Sequence, residues 1–549
     1  MDSVIPTPST SSGVPTYRPQ QVEKLAPCEA ACASGSDIRT WIGLVAQRGQ
    51  TGMNLEESYS EAWRTLTDAN PFPSVLGRIC PHPCELGCNR AENDGAVAIS
   101  ALERFLGDWA IEQGLRYDMI DTEPKTESIG VIGAGPSGLS FAYQMARRGY
   151  RVSVYERNEL PGGMLRYGVP DYRLPPSVLT AEIDRISDLS VEIRTGTTIG
   201  VDLSIEDLRA AHDILYLGIG AQAPRMLGIP GEQGPCVLAG TDYLARVNRG
   251  EIVDVGSRVI VVGGGNSAID AARVARRSGA HVTIVYRRTR NEMPAITAEV
   301  DEAVGEGVEL QLLAAPLEVM RTEDGISGLK AQRMRLTGLG SDGRRDIEAV
   351  ADEVFEIPAD TLIAAVSQQP DWTTLEGLDL SEGWVATADL GRVDEHLWAG
   401  GDVAGLDIAG SAVLHGRRAA ESVHAMLRGL DPPGEQESRV IGSDEVAFEF
   451  KVDRQAVRSQ HLDVDEALSN PAAELTATIT EEQFLDEVER CYSCGLCMGC
   501  EQCWMYCTVM SFTKVLDPRP GAYFTLSLDA CRECGKCIEV CPCGYLEVS

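Results

Sequence analysis

The chain has 549 residues, 44% hydrophobic and 24% charged, which excludes wholesale disorder and allows roughly three to four domains. Its 82 Asp and Glu residues outnumber its 48 Lys and Arg residues, giving a net charge of −34. Phosphate backbones and anionic lipid headgroups repel so acidic a chain, so we expect neither nucleic-acid nor membrane-surface binding.

The first 27 residues are rich in Ser, Thr and Pro, and we expect a short disordered tail at 1–27. This segment lacks the basic head and apolar core of a signal peptide. No apolar run in the sequence approaches the ~20 residues that span a bilayer. We therefore expect a cytoplasmic protein.

Residues 28–120 are predicted to form a helical domain, because stretches such as DIRTWIGLVAQRG carry apolar residues at helical spacing. Clustered cysteines in a reducing compartment favour metal ligation over disulfides. A zinc knuckle or inert thiols are the alternatives to an iron–sulfur site, since zinc ligands are often separated by about two to four residues. The cysteines of this region are Cys28, Cys32, Cys80, Cys84 and Cys88.

Residues 125–430 alternate short β-branched runs with helical runs, which is typical of an α/β fold. A G-x-G-x-x-G motif lies between the strand SIGVI and a helix, and Glu156 ends the next strand. Such glycines allow a tight turn, close approach to a pyrophosphate and helix packing, while the acid binds a ribose hydroxyl. The predicted contacts of this first dinucleotide site are Gly133, Gly135, Pro136, Ser137, Gly138 and Glu156.

A second glycine motif follows the strand SRVIVV, with Ala268 at its third position. The next strand, HVTIVY, ends in two arginines instead of an acid. An arginine there can hold a ribose 2′-phosphate, which indicates NADP rather than NAD, with solvated loop charges as the alternative. The predicted contacts of this second site are Gly263, Gly265, Asn266, Ser267, Arg287 and Arg288.

The strand ADTLIAAV (359–366) and the segment HLWAGGDVAG (396–405) are predicted to return the chain to the first nucleotide fold. Two nested nucleotide folds indicate a flavin facing a nicotinamide nucleotide. Residues 431–485 are polar and acidic and are predicted to be a linker with some helix. The predicted domains are 125–240 with 359–430 for the first nucleotide and 241–358 for the second.

Residues 486–549 carry two copies of the bacterial ferredoxin cysteine run, and the fourth Cys of each run ligates the other cluster. This spacing predicts an α+β ferredoxin-like domain with two four-iron clusters. One cluster is predicted on Cys497, Cys500, Cys503 and Cys541, and the other on Cys531, Cys534, Cys537 and Cys507. Cys491, Cys494 and Cys543 are surplus: Cys491-x2-Cys494 could bind nothing or could help an unexpected centre, and we favour no ligand role.

Three longer sequence segments resemble the small subunit of bacterial glutamate synthase: PGGMLRYGVPDYRLP (161–175), VVGGGNSAIDAARVARRSGA (261–280) and VYRRTRNEMPA (285–295). They are also similar to the flavin subunit of electron-bifurcating transhydrogenases and to the N-terminal part of dihydropyrimidine dehydrogenase. The resemblance covers about residues 28–430 and implies FAD at the first site and NAD(P)H at the second. It further implies flavin-site contacts from Gly163, Arg166, Gly401 and Asp402.

The same resemblance implies a flavin-side four-iron cluster on Cys32, Cys80, Cys84 and Glu103. The outer cluster of that family takes the equivalents of Cys28 and Cys88 with two further upstream cysteines, and no Cys precedes Cys28 here. We therefore expect one N-terminal cluster, with Cys28 or Cys88 as alternatives to Glu103 as its fourth ligand. About three clusters per chain are expected in all.

The sequence thus predicts a multidomain FAD-dependent NAD(P)H:acceptor oxidoreductase with a helical iron–sulfur cap, two nested Rossmann-like domains and a ferredoxin-like tail. No acid–base catalytic group is predicted. We expect a hetero-oligomer in which the partner is ferredoxin or a cluster-bearing protein, such as a 2-oxoacid:ferredoxin oxidoreductase or a sulfur-metabolism enzyme. The alternatives are a glutamate synthase small subunit, which lacks such a tail, and a non-enzymatic electron-transfer or assembly subunit.

Overall fold

The structure, a computed structural model, describes residues 17–340, 343–375, 377–432, 434 and 438–548. Its centre consists of two five-stranded parallel sheets with helices packed against them. In the part of the chain that the structure describes, no helix is both long and apolar enough to cross a membrane.

The N-terminal region is helical after one short strand. Prolines begin several of its helices, where the missing N–H would have no helical partner in any case. Helices α5 and α7 cross closely at Gly77 and Gly107, because neither glycine has a Cβ. A Cβ at either position would overlap the backbone of the other helix. The elements are β1 (Pro19–Gln21), α1 (Pro27–Ala30), α2 (Ile38–Ala46), α3 (Arg48–Thr51), α4 (Leu55–Ala69), α5 (Pro73–Ile79), α6 (Pro83–Leu86) and α7 (Ile99–Glu112).

The expected disordered tail falls partly on residues 1–16, which lie outside the described residues. For 17–27 the expectation is wrong: β1 pairs antiparallel with Leu546–Val548, and Lys24 is buried with its ammonium donating to the Gly544 carbonyl. Composition alone does not reveal the sheet edge that this segment completes.

The first sheet has β2 at its centre, and its strands are all parallel. Its order is Leu397–Ala399, β5, β2, β3, β4. The elements in chain order are β2 (Ser128–Ile132), α8 (Pro136–Arg147), β3 (Arg151–Tyr155), α9 (Met164–Tyr167), α10 (Pro176–Ser187), β4 (Val191–Arg194), α11 (Ile205–Ala211), β5 (Ile214–Leu217) and β6 (Ala223–Pro224).

The second sheet has the order β10-β9-β8-β14-β7, and β11 to β13 form a separate antiparallel sheet. The elements are β7 (Val237–Ala239), α12 (Gly240–Asn248), β8 (Arg258–Val262), α13 (Asn266–Arg277), β9 (His281–Tyr286), α14 (Thr297–Gly305), β10 (Glu309–Leu312), β11 (Ala314–Arg321), β12 (Ile326–Leu339), β13 (Arg345–Pro358) and β14 (Thr361–Ala364).

The assignment of 359–366 to the first nucleotide fold is wrong, because β14 pairs with β8 and β7 of the second sheet. A short apolar run carries no mark of which sheet will bury it. The return occurs at β18, which pairs with β5. The elements are β15 (Gln368–Gln369), β16 (Leu380–Ser381), β17 (Trp384–Val385), β18 (Leu397–Ala399) and α15 (Ala409–Arg428).

The 431–485 segment, predicted to be a linker, packs against the N-terminal helical region. Phe484 stacks on Phe105 with ring centroids 4.2 Å apart, and Glu474 pairs with Arg78 at 2.7 Å. The elements are α16 (Val464–Ser469), α17 (Glu481–Val488), α18 (Gln502–Tyr506), β19 (Phe512–Arg519), β20 (Ala522–Leu526), α19 (Lys536–Glu539) and β21 (Leu546–Val548). Short 3₁₀ turns cover Asn89–Glu92, Arg290–Glu292, Asp389–Gly391, Ser443–Glu445 and Phe448–Phe450.

Candidate functional site

The turn from β2 into α8 has the geometry of a pyrophosphate cradle. Gly133 has a φ of +100°, and a Cβ on Gly138 would overlap the Gly133 carbonyl oxygen. A Cβ on Gly135 would have the Gly163 Cα, 4.0 Å away, as its nearest neighbour, so the backbone is open there. Among the described residues no side chain caps the first turn of α8, which leaves its amides for an anion.

Three other residues predicted at the first site also contact protein groups. Glu156 is buried, and its two carboxylate oxygens accept from the Ala134 and Asn158 amides at 2.8 and 2.9 Å. Ser137 Oγ lies 2.6 Å from the Tyr216 hydroxyl, next to Pro136 at the helix start. The Arg166 guanidinium donates to Thr180 Oγ1 at 2.9 Å and to two carbonyl oxygens, which fixes the 161–176 loop.

We predict that Gly138→Ala destabilises the fold by about 1–3 kcal/mol and lowers the FAD content well below one per chain, because its methyl group would push α8 away from the turn. Thermal unfolding and the flavin-to-protein absorbance ratio measure both effects. Gly49→Ala is the matched control, since a Cβ there meets no atom within 4 Å. Full flavin content in Gly138→Ala would contradict this reading of the turn.

The second glycine turn opens into a cavity with about 640 Å³ of water-accessible space. Its lining includes the 263–267 turn, and it extends to Asp402 of the first nucleotide unit. A cavity of this size is in the range of small-molecule and cofactor sites. In the described ranges, the first turn of α13 has no side-chain cap, and in this respect it matches α8. The cavity of the second predicted nucleotide site therefore also reaches Asp402, a predicted contact of the first site.

Arginines line the side of this cavity where β9 ends. Arg287 is exposed, whereas Arg288 is buried and its Nε donates to the Arg345 carbonyl at 2.7 Å. Arg344 also lines the cavity, from the connection between β12 and β13. Arg344 is not among the predicted contacts, because nothing in its local sequence marks it as a cavity residue.

We predict that Arg287→Ala lowers kcat/KM for NADPH by about tenfold to a hundredfold and leaves kcat/KM for NADH nearly unchanged. A hydrogen bond to a charged group contributes about 1.5–3 kcal/mol. NADH lacks the 2′-phosphate, so it makes no such bond with Arg287 and loses nothing when the arginine is removed. Arg335→Ala, an exposed arginine on β12, is the control. Equal losses for both nucleotides in Arg287→Ala would rule out the 2′-phosphate contact.

Asp402 lies where this cavity meets the start of α15. Burial raises the pKa of its carboxyl to about 6, and one oxygen accepts from the Asp407 amide at 3.2 Å. Gly401, with a φ of +76°, packs against Ser137. Gly410, in the first turn of α15, lines a different cavity on the helical region. The segment 402–410 thus separates the nucleotide cavity from a cysteine-lined one.

That second cavity is lined by the predicted ligands of the flavin-side cluster, Cys32, Cys80, Cys84 and Glu103. Burial raises the pKa of Glu103 to about 8, and Asn70 Nδ2 donates to its Oε1 at 2.7 Å. Ser34 Oγ lies 3.3 Å from Cys32 Sγ. Three thiols and a carboxyl converge here without Cys28 and Cys88, which line a separate cavity with Cys491 and Cys494.

In the tail, Cys541 of the second cysteine run lies beside three members of the first run. One cavity is lined by Cys497, Cys500, Cys503 and Cys541. Burial, with smaller contributions from the neighbouring Cys534 and Cys507, raises the pKa of Cys537 to about 11. Cys531 Sγ accepts from the Glu533 amide at 3.4 Å. The surplus Cys543 is buried, with its Sγ 3.8 Å from that of Cys541.

The thiols of these cavities are soft donors of the kind that both zinc and iron–sulfur clusters use. Across the described ranges, no group of three or more His, Cys, Asp or Glu side chains is placed to hold a metal ion directly.

Comparisons with known proteins agree with this layout. Residues 127–428 match the family described as pyridine nucleotide-disulphide oxidoreductase, and residues 21–115 match dihydropyrimidine dehydrogenase domain II, 4Fe-4S cluster. A solved structure of Mycobacterium tuberculosis FprA in complex with NADPH superposes with a TM-score of 0.50 at 19% identity, covering 56% of this chain and 85% of that one. This likeness shows a shared fold.

Three curated relatives are similar over most of the chain. The NADPH-Fe(3+) oxidoreductase subunit beta of Geobacter sulfurreducens is 37% identical over 65% of this chain and 53% of its own length. The NADP(+)-dependent formate dehydrogenase subunit beta of Moorella thermoacetica is 33% identical over 75% and 61%. The glutamate synthase [NADPH] small chain of Escherichia coli is 32% identical over 72% and 87%.

The alignments to the first two relatives span little more than half of their lengths. The small chain of glutamate synthase, by contrast, is covered almost throughout, which confirms the resemblance seen in the sequence words. The chain therefore belongs to the pyridine nucleotide-disulphide oxidoreductase family and is a relative of the glutamate synthase small chain.

Proposed function

We propose that the chain is an NADPH-dependent iron–sulfur flavoprotein that passes electrons between NADPH, FAD, four-iron clusters and a redox partner. The observation that carries this proposal is the segment 402–410, which lines the nucleotide cavity at Asp402 and the cysteine-lined cavity at Gly410. The names of the relatives support NADPH as the nucleotide.

The residues present fit the two nucleotides. The open backbone at Gly135 and the uncapped turn of α8 suit the FAD pyrophosphate, and Asp402 suits a hydroxyl of its ribityl chain. Arg287, which lines the same cavity, suits the NADPH 2′-phosphate. A flavin bound there supplies the exchange between the two-electron chemistry of a nicotinamide and the one-electron chemistry of iron–sulfur clusters.

The protein's own part is to place these groups and to limit access of water. The N-terminus of α15 is uncapped by any side chain in the described residues, and its positive end favours a reduced, anionic flavin. Cys32, Cys80, Cys84 and Glu103 would hold a cluster on the far side of that helix start. Such a cluster would accept electrons one at a time from the nucleotide side.

We further propose that the partner is ferredoxin or a cluster-bearing protein that docks at the tail. Cys534 is exposed there, and so are the large apolar side chains of Trp504, Met505, Tyr506 and Met510. Exposed apolar groups of this size mark protein-contact surfaces. Since two relatives are named as subunits, we propose that this chain also works in a hetero-oligomer. We propose a cytoplasmic location as well, because its cysteines are free thiols, which a reducing compartment maintains.

The test is anaerobic NADPH oxidation by purified protein, first with an artificial dye and then with ferredoxin. We expect reduction of both, with NADPH preferred over NADH. A flavin- and iron-replete protein that reduces neither would leave only an assembly role. The second candidate, a glutamate synthase small chain, is favoured by the 87% coverage of that relative and predicts NADPH-dependent glutamate formation when a large chain is added.

A further inference from the structure

Four cysteines outside the assigned ligand sets meet in one buried cavity between the cap and the tail. Its lining contains Cys28 and Cys88 from the N-terminal region and Cys491 and Cys494 from the tail. We propose that these four cysteines hold a fourth four-iron cluster, to which each end of the chain contributes two ligands. The chain would then carry four clusters instead of the three expected from its sequence.

The size and chemistry of the cavity match those of the other cluster sites. The water-accessible space is about 20 Å³ in this cavity, and it is the same in the cavity around Cys32 and in that around Cys497. Four sulfur donors are the set that iron–sulfur clusters use, and Cys491-x2-Cys494 repeats the spacing of the ferredoxin run. All 17 cysteines are free thiols, so disulfides do not use them.

Hydrogen bonding around Cys491 also resembles that at the ferredoxin ligands. Its Sγ accepts from the Ser493 amide at 3.4 Å, as Cys507 Sγ accepts from the Ser511 amide at 3.2 Å. Such N–H donors stabilise negative charge on sulfur. Such donors are expected beside a thiolate that binds a cluster, whereas a neutral thiol carries no charge for them to stabilise.

Two buried arginines and a half-buried lysine lie beside the four cysteines. Arg39 and Arg90 line the cavity, and Arg39 donates to the Cys494 carbonyl at 2.9 Å. Lys451 donates to the Cys491 carbonyl. Each arginine also pairs with an acid, Arg39 with Glu29 and Arg90 with Asp94. A cluster with four thiolates carries net negative charge, and buried charge needs such compensation.

This assignment resolves the departure noted in the sequence. The resembled family completes its outer cluster with two cysteines upstream of the position of Cys28, and none precedes Cys28 here. Cys491 and Cys494 reach the same cavity from the other end of the chain. The strand pair β1–β21 and the packing of Phe484 on Phe105 hold the two ends together around it.

The cavity also lies between the flavin-side site and the tail. Ile38 and Ile99 line both this cavity and that of Cys32, and only two residues separate Cys494 from Cys497. A cluster here would accept one electron from the Cys32 cluster and give one to the tail, with no proton moved. This relay role rests on the proposed function, whereas the cluster itself does not.

The test compares iron and sulfide per chain in the full-length protein, purified anaerobically, with those of Cys491→Ser/Cys494→Ser. We expect about 16 irons in the unaltered protein and about 12 in the double variant. Cys28→Ser, altered at the other end of the chain, should lose the same four irons and the same electron paramagnetic resonance signal. Cys236→Ser, in the nucleotide region, is the control and should lose none.

About 12 irons in the unaltered protein, or an unchanged iron content in either variant, would overturn the proposal. If the double variant is insoluble, Cys28→Ser and native mass spectrometry of its cluster content decide the question. Flavin content and NADPH oxidation with a dye are measured on the same samples. These readouts report on the proposed function independently, so failure of the fourth cluster and failure of NADPH oxidation are distinguishable.

Discussion

Cys80→Ser is expected to leave NADPH-dependent bleaching of the flavin near its normal rate while slowing reduction of the tail clusters and of ferredoxin by at least about a hundredfold. Loss of a group that merely orients a ligand already costs about 10–100-fold, and Cys80 is a predicted ligand itself. Its cavity touches the start of α15 at Gly410, one of the points where the helical region contacts the nucleotide domains. Flavin bleaching would then be uncoupled from every later step.

Stopped-flow absorbance reports the flavin step, and freeze-quenched electron paramagnetic resonance reports the clusters. Cys236→Ser is the matched control, because Cys236 lies near Gly325 in the second nucleotide unit and contributes to none of the cysteine-lined cavities described above. Normal ferredoxin reduction in a Cys80→Ser protein that lacks the flavin-side cluster would show that electrons leave by another route.

Cys534→Ser is expected to have the second largest effect, at the opposite end of the path. NADPH should still reduce the flavin and the N-terminal clusters, but partner reduction should fall close to background. Cys534 is exposed on the tail beside large apolar side chains, where a partner can approach, and it lies near Cys507 and Cys537. Removing one of four ligands removes the cluster from which electrons are expected to leave.

The partner assay uses reduced ferredoxin absorbance, with Cys236→Ser again as the control. Iron analysis should show a loss of about four irons per chain and no loss of flavin. A Cys534→Ser protein that lacks those irons but reduces ferredoxin at the full rate would assign the tail a regulatory or assembly role.

Local sequence was sufficient where a site is made by neighbouring residues. The turns at Gly133 and Gly263 and the cysteine runs of the tail bring their groups together within a few residues, so spacing alone predicts their geometry. Cys32, Cys80, Cys84 and Glu103 converge where the family resemblance implied. Their grouping depends on the close crossing of α5 and α7, which no spacing rule describes.

The rest depends on contacts between distant parts of the chain. Cys28 and Cys491 are separated by more than 400 residues, so no spacing rule pairs them. Arg344 reaches the nucleotide cavity from a hairpin with no motif. The strand β14 pairs with β7 and β8 of the second sheet, although its short apolar sequence suits a buried strand of either parallel sheet.

The most direct test of the whole account is an anaerobic titration of the purified protein with NADPH, followed by absorbance and electron paramagnetic resonance. The flavin takes two electrons and each four-iron cluster one, so we expect uptake of more than one NADPH per chain, with the excess appearing as reduced clusters. Uptake that stops at one NADPH per flavin, with no reduced cluster in a protein that contains its full iron, would contradict electron transfer from the nucleotide site to the clusters.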